Sequence, residues 1–288
     1  MSAADAEPKL DRAEVLGVLV PACITRVYAE APTISSFANM FTVGKSPLRQ
    51  ACHDFQELAE AGAEAGAMSA ELVEIATRAF RLACDNKTSK LCDPALEGLR
   101  LLFATGLVQG ATEGWAPKLH DASPEPSSST PAPSADPTPS SDDIERERAL
   151  SSLVVTVAKC AEVNVSSTHV ACVACVLAAH SSDGCVVRGD ALAQLCRSTL
   201  HLAVAAATER DRAAARRALV RVINETFARA GLMAEGVTDG ITPSVTDREP
   251  DEDDVDGNNV VQPGSRESDA LLLTLTLCAV AADGPSSS

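Results

Sequence analysis

SAELVEIATRAFRLACDNKTSKLCDPALEGLRLLFATGLVQG, Ser69–Gly110, is the stretch whose reading decides the fold. Leu72, Ile75, Ala76, Ala79, Phe80 and Ala83 recur at the three/four spacing of one helical face. Lys87, Thr88, Ser89 and Lys90 interrupt that spacing with a polar turn. Asp93-Pro94 then reads as a restart, a carboxylate at an N-cap followed by a residue that needs no N–H donor in the first turn. Leu96, Leu99, Leu102 and Phe103 form the second stripe, with Gly106 or Gly110 as its stop. Neither helix buries its stripe alone, so each must lie against a neighbour, as in the elementary unit of a helical solenoid.

The same pattern extends in both directions. Leu10–Glu30 is expected to be a first helix, with Val15, Leu16, Leu19, Cys23, Ile24 and Val27 near one face and Pro21 producing a kink or break. Ala31–Lys45 reads as a loop anchored by Phe37, Met40 and Phe41. Ser46-Pro47 starts a second helix through Leu48, Cys52, Phe55 and Leu58 to about Ala61, where Gly62–Gly66 is expected to end it. Downstream, Ile144–Val165 carries Leu150, Leu153, Val154, Val157 and Cys160. Ser166-Ser167-Thr168 is placed to cap His169–His180, and Asp183-Gly184 to turn the chain. Ala191–Ala207 and Asp211–Ala230 complete the series, with Gly231 as a natural stop. No fixed period of 20–50 residues emerges, so the expected fold is all-α, an irregular armadillo/HEAT-like α-solenoid with two long disordered segments.

Those two segments follow from composition. Residues 116–142, with PEPSSSTPAPSADPTPSSDD at their centre, hold too few large apolar groups to offset the entropy of ordering. Residues 237–266 contain the acidic run Glu249–Asp256 and read as an acidic disordered linker. The expected organisation is a disordered N-terminus at 1–9, helices over 10–236 with the insertion at 116–142, the linker, and one further apolar helix in 267–288.

Composition narrows the function classes. Apolar residues make up 45% but aromatics only 3%, which suits close helix-on-helix packing better than a β-sandwich or barrel. A net charge of −16 disfavours nucleic acid or an anionic membrane as the main partner. Met1–Lys9 lacks the basic start and apolar core of a cleavable signal. Leu271–Ala282, the longest apolar-rich run, falls short of the roughly 20 residues a spanning helix needs, so a cytoplasmic protein is expected. Among ten cysteines, Cys23, Cys52, Cys84, Cys160, Cys172, Cys175 and Cys196 lie inside apolar stripes and read as reduced, buried hydrophobes.

Three groupings invite chemistry. Cys172-x-x-Cys175 with His169 suggests a metal, but residues three apart drift about 60° around a helix axis and no second pair completes four ligands, so packing is the reading. Arg210, Arg212, Arg216, Arg217 and Arg221 crowd one helix, where an acidic partner or headgroup competes with an ordinary ion-paired surface mixed with Glu209, Asp211 and Glu225. Glu249–Asp256 lacks the glycine and twelfth-position glutamate of a calcium loop and reads as a solvated acidic tail. No nucleophile elbow, P-loop or dinucleotide fingerprint is present, so no catalytic, cofactor-binding or metal residue is assigned and no cofactor is expected.

Phe80-x-Leu82-Ala83-Cys84, the polar turn and Ala95-Leu96-x-x-Leu99-x-x-Leu102-x-x-x-Gly106 resemble the dimerisation and cyclophilin-binding (DCB) domain. That domain opens the large, brefeldin A-inhibited or Sec-seven type Arf guanine-nucleotide exchange factors and their Golgi scaffold relatives. Leu48-Arg49-x-Ala51-Cys52 is similar to the family's earlier helix, and Ala215–Arg229 to its later one. The resemblance implies a non-catalytic regulatory and dimerisation module acting in vesicle-mediated protein transport. Its implied partners are a second copy, the adjoining homology domain, an Arf/Arl-type small GTPase and a cyclophilin, at Golgi or trans-Golgi membranes and without nucleic acid. It further implies that exchange is catalysed in a separate domain and that 267–288 opens a following, truncated homology domain. The alternative is a stand-alone α-solenoid adaptor unrelated to Arf exchange.

Overall fold

The computed structural model describes residues 11–32, 46–65, 70–112, 141–182, 184–231, 270 and 272–274. The loop anchors Phe37, Met40 and Phe41, the Pro/Ser-rich stretch up to residue 140 and the acidic run all lie outside the described residues.

The first helix, α1 (12–30), is continuous. It opens at Arg12–Glu14, where Asp11 accepts a hydrogen bond from the Ala13 N–H, passes through π-helical Val15–Leu19, and continues as Val20–Glu30. Of the kink or break expected at Pro21, the break does not occur. Proline lacks an N–H and crowds the carbonyl four residues earlier. The wider π turn just before it, closed by the Val20 N–H on the Val15 carbonyl, lets the helix run on.

α2 (Pro47–Ala65) starts where the sequence places it, with Ser46 Oγ accepting from the Arg49 N–H at 3.4 Å. It runs past the expected stop near Ala61, because one glycine in a helix interior costs only about 1 kcal/mol. α3 (Ala70–Asp85) buries Leu72, Ala76, Ala79, Phe80, Ala83 and Cys84, and leaves Ile75 half-buried.

α4 (Ser89–Ala104) begins five residues earlier than an Asp93 cap before Pro94 suggests. Lys87 adopts a left-handed φ of 53°, which reverses the chain tightly enough for the Thr88 carbonyl to accept from both Leu91 N and Cys92 N. Asp93 is therefore not a cap, and Pro94 sits buried inside the helix. Leu96, Leu99, Leu102 and Phe103 are fully buried, each worth about 1.5–3 kcal/mol relative to exposure. The helix ends at Gly106, whose φ of 64° allows Gly106 N to reach Phe103 O and Leu107 N to reach Leu102 O.

β1 (Gly110–Ala111) and β2 (Cys185–Val186) form a two-residue parallel ladder that pairs Gly110 with Cys185 and Ala111 with Val186. α5 (Ser141–Lys159) starts inside the stretch expected to be an insertion, and a 3₁₀ turn, Cys160–Glu162, follows it. α6 (Ser166–Ser181), α7 (Gly189–Ala205) and α8 (Glu209–Arg229) complete the helices. The expected Ser/Thr cap of α6 is also corrected: Ser166, Ser167 and Thr168 form its first turn, Val165 is the N-cap, and no side chain caps the helix.

The chain is thus mainly helical. α1 packs on α4, α4 on α6, and α6 on α8; α2 packs on α3, α3 on α5, and α5 on α7. Cross-contacts between α3 and α4, α5 and α6, and α7 and α8 join these two series around one continuous apolar core. At the α3–α4 crossing the backbone of Gly98 lies against the Phe80 ring, where a Cβ would stand 2.2 Å from Phe80 Cζ. Leu273, from the last described helical residues, is fully buried in the same core.

Candidate interaction surface

α8 is built by its ends and its apolar stripe. Thr208 Oγ1 accepts from the Asp211 N–H at 3.1 Å, and Glu209 and Asp211 place negative charge at the positive end of the helix dipole. Gly231, at φ 72°, closes the other end. Ala215, Ala218, Leu219, Val222 and Thr226 face inward.

At 100° per residue, Arg210, Arg217 and Arg221 fall within about 40° of one another on the outer side. All three are exposed, and Val220 beside them is 55% exposed. The five arginines expected to crowd this helix divide into two groups. Arg212 donates from Nε to Glu209 at 2.9 Å and from Nη1 to the Ala206 carbonyl at 2.7 Å. Arg216 pairs with Glu209 at 3.2 Å and Arg221 with Glu225 at 2.8 Å. Hydrogen bonding from Arg212 holds the Glu209 carboxyl below its usual range. Arg210 and Arg217 form no ion pair with any described residue. The surface is therefore partly ion-paired and partly open.

Behind this face, His180 of α6 is 1% exposed and lies between α6 and α8. Its Nε2 is 3.4 Å from Thr226 Oγ1 and 3.8 Å from Glu225 Oε2, and Arg229 donates to its backbone carbonyl at 2.6 Å. Nδ1 has no hydrogen-bond partner among the described residues. Burial first, and then the Arg229 charge, pushes the imidazole down to about 4. Ser181 Oγ meets both oxygens of Glu225, whose pKa is lowered because, against burial, the carboxylate accepts from Arg221 and Ser181.

The first turn of α6 is a polar seam that local sequence did not announce. Ser167 Oγ and Thr168 Oγ1 donate to Asp93 at 2.6 and 2.5 Å, and Ser166 Oγ donates to Asp211 at 2.5 Å. The Ser/Thr run and the two aspartates were each visible, but only the fold shows which hydroxyl meets which carboxylate.

Cys172 and Cys175 are buried, as the packing reading requires. Cys172 Sγ donates to the Val157 carbonyl at 3.3 Å, and burial pushes its thiol up to about 12. His169, only 4% exposed, lines a cleft of about 200 Å³ with Glu162, Asn164, His201 and Ala206 instead of converging with the two thiols. All nine cysteines among the described residues are free and buried. Sequence reading missed the grouping of Cys84, Cys92 and Cys160, drawn from α3, α4 and the 3₁₀ turn. Cys92 Sγ donates to the Cys84 carbonyl at 3.8 Å and Cys160 Sγ to the Thr156 carbonyl at 3.5 Å, and the neighbouring thiols together with burial hold the Cys84 thiol well above its usual range. On α2, His53, Asp54 and Glu57 each bring one donor atom within 4.8 Å of the others, a spacing that could hold a divalent cation. Sequence reading missed this cluster as well. Its signal was the i, i+4 pair of His53 and Glu57 on one helix face, with Asp54 adjacent in sequence.

No helix among the described residues is long and apolar enough to cross a membrane. No protein-family model matches the chain, and no curated protein matches it.

Proposed function

We propose that this chain is a non-catalytic interaction module with an irregular α-solenoid fold. We further propose that it serves as the DCB-like regulatory and dimerisation region of a large Arf guanine-nucleotide exchange factor or Golgi scaffold. The observation that carries the reading is the order of helix contacts. α1–α4–α6–α8 and α2/α3–α5–α7 each progress from neighbour to neighbour, the arrangement in which stacked helix pairs bury one another's stripes. The α3–α4 pair that carries the family resemblance supplies the middle of that progression. On this reading the module works through protein contacts in vesicle traffic, recruited with an Arf/Arl-class GTPase to Golgi membranes.

The test has two arms on the full chain. Light scattering after gel filtration is expected to give a mass near twice the 29.8 kDa of one chain. Binding to an Arf-class GTPase is expected to be stronger with GTP than with GDP bound. A monomer at every concentration together with nucleotide-independent or absent GTPase binding would overturn the DCB assignment and leave the adaptor reading.

A further inference from the structure

We propose that the outer arginine stripe of α8 is a docking face for the chain's own acidic run, Glu249–Asp256. This inference stands on α8 alone and does not depend on the proposed family.

The face is chemically selective. In a chain of net charge −16, Arg210, Arg217 and Arg221 align on one exposed strip, and positions 214, 224 and 228 that complete the strip are Ala, Asn and Ala. No carboxylate lies within it. Glu209 and Glu225 flank it and neutralise Arg212, Arg216 and part of Arg221, while Arg210 and Arg217 have no ion pair among the described residues. The strip thus offers guanidinium donors at one-turn and two-turn spacings, suited to a segment bearing several carboxylates.

The acidic run supplies that segment. Glu249, Asp251, Glu252, Asp253, Asp254 and Asp256 fall within eight residues, and Val255 among them matches the single exposed valine, Val220, beside the arginines. Reach agrees with charge. Seventeen residues lie between Gly231 and Glu249, and at a maximum of about 3.3 Å per residue that length of chain is sufficient to reach past Arg217. Measured back along the helix at 1.5 Å per residue, Arg221 and Arg217 lie about 15 and 21 Å from Gly231. Each exposed ion pair is weak, but tethering raises the local concentration of the run to the millimolar range, enough to fill the face by several weak contacts. A competing acidic partner must displace it, so α8 is a screened surface whose availability rises with ionic strength.

The experiment is phenylglyoxal labelling of the full chain, read arginine by arginine by mass spectrometry. A variant carrying Asp251→Asn, Glu252→Gln, Asp253→Asn and Asp254→Asn is compared with the unaltered chain at low and high salt. Arg217 and Arg221 are expected to label roughly threefold or more faster in the variant, and in the unaltered chain at high salt. Exposed Arg78 of α3 is expected to stay constant, which reports an intact fold. Equal labelling of Arg217 and Arg221 in both chains would overturn the proposal. Protection that grows with protein concentration would also overturn it, by assigning the face to a second copy's acidic run.

Discussion

Thr168 Oγ1 of α6 donates a hydrogen bond to Asp93 Oδ1 of α4 at 2.5 Å, joining two helices across 75 residues of sequence. Thr168 is fully buried, and α4 against α6 is the most extensive helix pairing among the described residues. The same carboxylate also receives Ser167, so one aspartate fixes the rotation of the first turn of α6.

Asp93→Ala leaves the buried Thr168 hydroxyl without its acceptor, at a cost of about 1–3 kcal/mol. Urea denaturation is expected to show that loss, with a melting point several degrees lower. Asp93→Asn, which keeps one carbonyl acceptor, is expected to recover part of it. Equal stability of the Ala variant and the original chain would mean that the seam contributes nothing.

Two glycines in helices should respond oppositely to alanine. Gly98→Ala drives a Cβ into the Phe80 ring and is expected to destabilise by about 1–3 kcal/mol. At Gly17 nothing lies within 4 Å of the added carbon, so Gly17→Ala is expected to be neutral or to stabilise by about 0.5 kcal/mol through lower unfolded-state entropy. Thermal melts of the two variants decide the matter, and similar shifts in both would contradict the packing described at the α3–α4 crossing.

His180 links folding to pH. Its folded pKa near 4 lies below the ordinary 6.5, so as pH falls below 6.5 the unfolded chain takes up a proton that the folded chain refuses. Stability contributed by the neutral ring is whole above pH 6.5 and declines toward pH 4, by an amount on the order of 3 kcal/mol. Glu225, with a lowered carboxyl, adds its own loss only toward the acid end of that window. His180→Gln is expected to flatten the stability profile between pH 4 and 6.5. A slope identical to that of the original chain would show that other groups govern this range.

The apolar stripes were legible because each is a property of one helix. Leu96, Leu99, Leu102 and Phe103 declare their face by spacing alone, and all are buried. Asp93 was misread for the complementary reason. Locally it is a good N-cap before proline, but the left-handed Lys87 starts the helix sooner and frees the carboxylate to bind α6. Gly98 and Cys92 carried no local signal, since their roles depend on Phe80 and Cys84 arriving from another helix. The arginines of α8 were visible as a crowd. Their division into paired and open sets required knowing which carboxylates share a side of the helix.

The small ladder between Gly110 and Cys185 has a consequence for how the chain tolerates change. Thr112 N bonds to Val186 O, and Thr112 Oγ1 both donates to the Arg188 carbonyl and accepts from the Arg188 N–H. Residues 113–140 therefore join two independently held points, Thr112 and α5, which packs on α3 and α7. Bringing the ends of such a span together costs entropy that grows only with the logarithm of its length, about 0.6 kcal/mol per doubling. Lengthening or trimming residues 113–140 thus perturbs the helical array far less than a single methyl group added at Gly98.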